Sequence, residues 1–139
     1  MRLWHKSLIN VLPKQQFLGQ IRELTAICKD IQNNGKTNHI LINKITDYNL
    51  KHLYTYCKLI EQVAKERKIN ITQNTLQKWY NTFTEGEKQI IDFDSLFKSW
   101  HNANYMTQCY YNLEEKWQCE GISDNEFNLV RKVFIEYGI

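Results

Sequence analysis

One proline and five glycines in 139 residues leave few places where this chain must stop a helix or turn sharply. That scarcity, with abundant Leu, Lys, Gln and Glu, favours helices. The four cysteines are Cys28, Cys57, Cys109 and Cys119. None is paired at the two-residue knuckle spacing of a zinc site, so no metal is expected. The simplest reading is a set of free, mostly buried thiols in a reduced compartment. Apolar runs are too short to cross a membrane. Pro13 and Lys14 interrupt the apolar start, so no signal peptide is read there and a cytoplasmic location is expected. There is no Gly-rich phosphate loop, and no Ser or Cys sits in a recognisable nucleophile motif. Any chemistry must use something less conventional.

What is present suffices for one all-α domain over residues 1–139. Hydrophobic residues make up 42% and aromatics 13%, enough apolar surface to build a core without disulfides. From Pro13, which suits a helix start, the residues Phe17, Ile21, Leu24, Cys28 and Ile31 recur in alternating steps of four and three. They form one helical stripe, and Gly35 suits a left-handed cap after it. Residues 36–48 carry Ile40 and Ile42 but have no partner strand, and read as an irregular packed loop. Thr46 or Asp47 is expected to cap a second helix with the stripe Leu50, Leu53, Cys57, Ile60 and Ala64. A third helix is expected over 72–83, then a surface turn around Gly86. Helical pattern follows from Asp94 through Trp100 and again through Met106, Tyr110, Leu113 and Trp117, with Asn102 and Asn104 as breakers. Ser123 and Glu126 form a capping box for a last helix. The expected architecture is about five helices, the long first and second packing on an N-terminal segment.

The net charge of +3 permits a polyanionic partner without requiring one. Arg2, Lys6 and Lys14 make the start of the chain basic, and Lys36, Lys44 and Lys51 continue this around the first loop. Trp4, His5, His39 and Tyr48 are interleaved with them, a mixture that suits phosphates and unstacked bases. It equally suits a solvated surface. Glu23 falls at the border of the first apolar stripe, where a carboxylate is partly desolvated. Arg22 projects about 100° away from it. The α-amine of Met1 is a further candidate nucleophile. Its reference pKa of about 7.7–8.0 leaves a useful minority uncharged near neutral pH. Arg2 beside it favours the uncharged form by charge repulsion.

Two segments carry a family resemblance. Met1 to Leu24, MRLWHKSLINVLPKQQFLGQIREL, ends on Arg-Glu-Leu inside a helix. Asn49 to Ile71, NLKHLYTYCKLIEQVAKERKINI, aligns without gaps as a second helix with a basic end. Together with Asn34-Gly35-Lys36 as the intervening turn, residues 1–71 resemble the pyrimidine-dimer DNA glycosylases, the family of phage endonuclease V. The wording MRLWHKSLINVLPKQQFLGQ followed by NHILINKITDY is similar to its cellular branch. Residues 72–139 show no such likeness and are expected to form the helical remainder of the same domain.

The resemblance implies a terminal α-amine as nucleophile and Glu23 as its catalytic carboxylate. It implies DNA contacts from Arg2, Arg22 and the turn residue Lys36, with His39 and Lys44 as loop candidates. The implied partner is duplex DNA with damaged bases or abasic sites, bound by a monomer near the nucleoid with no cofactor. Two departures stand out. The family exposes its second residue after losing the initiator, whereas bulky Arg2 predicts retention of Met1. Ala26 stands where the family carries a basic residue. The implied activity is glycosylase with coupled AP-lyase cleavage, on dimers or on oxidised or abasic sites. The competing reading is a non-catalytic helical module that binds DNA or protein.

Overall fold

A computed structural model describes residues 2–40 and 42–139. Five α-helices account for most of it: α1 (Lys14–Asn34), α2 (Lys51–Glu66), α3 (Gln73–Tyr80), α4 (Ala103–Gln118) and α5 (Asp124–Tyr137). Three short 3-10 turns, Lys6–Val11, Ile42–Asp47 and Glu85–Glu87, lie between them, and no strand occurs among the described residues. The all-α expectation holds.

α1 begins after Pro13 and ends at Gly35, whose φ of 73° gives the left-handed cap the sequence predicts. Phe17, Leu24, Ile27, Cys28 and Ile31 bury its inner face. The polar Gln20 lies on that same face and is completely buried. α2 buries Leu53, Tyr56, Cys57, Ile60, Val63 and Ala64. Between these helices runs the N-terminal segment, with Leu3, Trp4, Leu8, Ile9 and Leu12 in the core. α4 and α5 complete that core with Met106, Cys109, Leu113, Phe127 and Val130. Cys28, Cys57 and Cys109 are buried free thiols and Cys119 is an exposed one.

Four local expectations need correction, the first being Asn104, which lies inside α4 and breaks no helix, whereas Asn102 caps α4. Neither Thr46 nor Asp47 caps α2. Both belong to the Ile42–Asp47 turn, where the Thr46 hydroxyl donates back to the Asn43 carbonyl. The α2 start is served instead by Asn49, whose Oδ1 accepts from the Lys51 amide at 2.9 Å. The third helix is shorter than 72–83: Thr72 caps it through the Thr75 amide, and it ends at Tyr80. The segment from Asp94 to Trp100 is a series of turns, not a helix. The Lys6 ammonium takes the carbonyls of Phe93, Asp94 and Leu96 at 2.6, 3.3 and 2.7 Å, and Phe97 has φ of 47°. Carbonyls gathered on one cation cannot also point along a helix axis. Lys6, read as part of a basic surface, is therefore a buried structural residue.

Candidate active site

Glu23 sits half-buried where the inner face of α1 meets solvent, as its place beside the apolar stripe predicts. Its Oε2 accepts a hydrogen bond from the backbone nitrogen of Arg2 at 3.2 Å. The Met1 amine itself lies outside the described residues. What the structure fixes is the approach of the chain to that carboxylate.

The approach is held by side chains from three helices. Gln20, one turn before Glu23 on α1, donates from Nε2 to the Arg2 carbonyl at 2.9 Å. Its Oε1 accepts from the Trp4 amide, also at 2.9 Å. The Tyr56 hydroxyl of α2 donates to the Trp4 carbonyl at 2.7 Å and lies 2.9 Å from Gln20 Oε1. The Tyr105 hydroxyl of α4 donates to the Leu3 carbonyl at 2.6 Å. Including the Glu23 contact, five backbone groups of Arg2–Trp4 are bonded to side chains. A segment so short makes no regular structure of its own, so buried amides and carbonyls there need such partners. Burial pushes the phenols of Tyr56 and Tyr105 well above the usual tyrosine range. Both stay protonated donors at any ordinary pH.

The Arg2 guanidinium is also engaged. It lies 5.4 Å from the Trp4 ring centre and 5.9 Å from that of Tyr105. Its Nη1 is 3.8 Å from Cys109 Sγ. Burial raises the Cys109 thiol, partly offset by Arg2, so the sulfur remains a neutral acceptor. Behind this layer His5 and His101 stack at 5.2 Å. Burial drives His5 down to about 4 and His101 well below the histidine norm, so both are neutral near pH 7. The Lys6 amide donates to His101 Nδ1 at 2.9 Å.

The other sequence candidates spread away from this centre. Arg22 is exposed on the outer face of α1. Its guanidinium folds back over Gly19, where an added Cβ would meet Nη2 at 3.6 Å. Lys36 and His39 are exposed beyond the α1 C-terminus. That end lies about 16 Å along the helix from Glu23, from the rise per residue. Lys44 is exposed in the Ile42–Asp47 turn and lines a cavity of about 180 Å³ with Tyr48, Ser99 and Trp100. The Trp100 ring lies 5.7 Å from that of Tyr105, which links this cavity to the wall of the Glu23 site. So the structure joins Glu23 to the start of the chain, and leaves the cations distributed over a wider surface. No three His, Cys, Asp or Glu side chains gather as a metal site among the described residues.

Sequence reasoning missed Gln20, Tyr56 and Tyr105. Gln20 did leave a signal, a polar residue one turn before Leu24 on an apolar face. Tyr105 left none, because its importance depends on where α4 packs.

No curated protein and no solved structure matches the chain. The pattern of the pyrimidine dimer DNA glycosylase family matches residues 1–77, which include Glu23, Gln20, Tyr56 and the bonded N-terminal segment. That match spans more than half of the 139 residues and reaches into α3. With the N-terminal backbone brought to a helical carboxylate, the chain belongs to the pyrimidine dimer DNA glycosylase family, and is a DNA-repair glycosylase whose substrate is DNA with damaged bases.

Proposed function

We propose that this glycosylase couples base excision to AP-lyase strand cleavage through its free α-amine. The observation that carries the reading is the 3.2 Å contact between Glu23 Oε2 and the backbone nitrogen of residue 2. The amine lone pair attacks C1′ of the damaged nucleotide as the N-glycosidic bond breaks, and the departing base keeps that electron pair and is protonated. Positive charge develops at the sugar, and the ionised Glu23 carboxylate stabilises it. Ring opening and proton loss give an imine. The imine acidifies the C2′ proton, Glu23 accepts it, and β-elimination breaks the C3′–O bond. The reacting nitrogen belongs to Met1 when the initiator is kept, one residue outward from the observed contact. It belongs to Arg2 at the contact itself when the initiator is lost. Exposed Arg22, Lys36, His39 and Lys44 supply phosphate or base contacts, in a monomer that works at the nucleoid.

Borohydride trapping on a duplex with one abasic site, using protein with a native terminus, tests this. The expected product is a covalent adduct that peptide mass spectrometry places on residue 1 or 2. An adduct on a lysine such as Lys36 or Lys44 refutes the amine mechanism. DNA binding with no adduct overturns the coupled lyase step, and an assay of base excision on lesion DNA then separates a glycosylase without a covalent intermediate from a non-catalytic module.

A further inference from the structure

We infer that Tyr105, in a region outside the family match, is a positioning residue for the reacting terminus, acting together with Gln20. The inference rests on the amine reading above.

The peptide unit joining Leu3 to Trp4 is trans, so its carbonyl and its N–H point to opposite sides. Tyr105 of α4 takes the carbonyl at 2.6 Å, and Gln20 of α1 takes the N–H at 2.9 Å. The peptide plane is therefore gripped between two helices and cannot rotate about the chain axis. The same Gln20 amide reaches outward to the Arg2 carbonyl at 2.9 Å. The next atom group outward is the Arg2 nitrogen on Glu23. The orientation set at residues 3 and 4 is thus passed to the nitrogen that meets the carboxylate.

Tyr105 is itself fixed before DNA arrives. It lies in the first turn of α4, and its amide donates to the capping side chain of Asn102 at 2.9 Å. Its ring is packed against Trp100 at 5.7 Å and His101 at 5.0 Å, with the Arg2 guanidinium on it. A phenol held this way has one place to put its hydroxyl. Removing that hydroxyl leaves the Leu3 carbonyl without its donor in a residue with no solvent exposure. The peptide plane can then tilt to seek another partner while Gln20 still holds its other side. Attack geometry needs the reacting atoms within about 3–3.5 Å, and a misplacement of about 1 Å can cost ~10²-fold in rate.

The test compares Tyr105→Phe with wild type, and Gln20→Met beside it, all as full chains with native termini. The readouts are thermal melting and single-turnover imine trapping on an abasic-site duplex. For Tyr105→Phe the half-saturating DNA concentration should stay within about twofold. The trapping amplitude should remain complete, and the rate constant at saturating DNA should fall between ~10- and ~100-fold. Gln20→Met should lose more rate at complete amplitude. If it does not fold, Tyr105→Phe alone decides. An unchanged rate constant for Tyr105→Phe overturns the proposal. So does a parallel loss of amplitude and melting temperature, which marks a merely structural residue. Failure of the amine reading is distinct: wild-type protein then forms no terminal adduct, and the positioning role falls with it.

Discussion

At the scale of single residues, the site depends on one carboxylate and on uncharged groups that aim the chain at it. Glu23→Gln keeps the shape of the side chain and an oxygen that can accept from the Arg2 nitrogen. It removes the charge that would stabilise an oxocarbenium-like sugar. Strand cleavage should fall by ~10²–10³ while affinity for lesion DNA changes little. A single-turnover assay beside a binding titration checks this, and wild-type cleavage by the variant would make Glu23 structural. Glu23 was legible in the sequence because the Arg-Glu-Leu of the first helix resembles a family motif. The way the chain start is brought to it was not legible. That start is held by bonds to Arg2, Leu3 and Trp4, made across 16 to 102 positions of chain. Periodicity reports which face of a helix is apolar. It does not report which distant phenol will meet which carbonyl. Arg2 shows the same limit: its charge reads as a DNA contact, and no periodicity reports that its guanidinium also lies on Trp4, Tyr105 and Cys109.

At the scale of elements, local signals succeeded where the partners are local. The Gly35 cap and the Ser123–Glu126 box stand as read, and so do the α1 and α2 stripes except that Ile21 is only partly buried and Leu50 lies just before α2. They failed at 94–100, where a buried ammonium from Lys6 overrides helical spacing. The box on α5 also does more than its pattern says. Glu126 uses one oxygen within the box, while its other oxygen accepts from the Lys14 amide at 2.8 Å, in the first turn of α1. One carboxylate thus serves two helix starts, each with a positive dipole end. Ser123→Ala should cost about 1 kcal/mol, an ordinary capping loss. Glu126→Ala removes contacts at both starts and should cost about 2 kcal/mol. Urea unfolding of the two variants measures the difference. Equal costs would mean that the Lys14 bond contributes nothing in solution.

At the scale of the whole molecule, one core binds the family-matched part to the part beyond residue 77. Its polar layer makes stability depend on pH. His5 has a folded pKa of about 4 against an ordinary value of 6.5, because burial disfavours its charge. His101 shifts in the same direction for the same reason. Between those values the unfolded chain binds more protons than the folded one. Stability should therefore be complete above about pH 6.5 and decline as the pH falls toward 4. Thermal melts from pH 7.5 to 4.5 should show that decline, and His5→Asn should flatten its upper part. A melting temperature constant across this range would place the histidines in water. The bonded segment at residues 2–4 has a separate consequence. Chain ends ordinarily fray and yield to exopeptidases. Here the bond joining Arg2 to Leu3 is enclosed, its carbonyl on Gln20 and Leu3 without exposure. An aminopeptidase needs an extended, accessible end to draw into its own cleft. Trimming should therefore halt with Arg2 in place, which preserves the backbone nitrogen that meets Glu23; N-terminal sequencing after aminopeptidase digestion checks this.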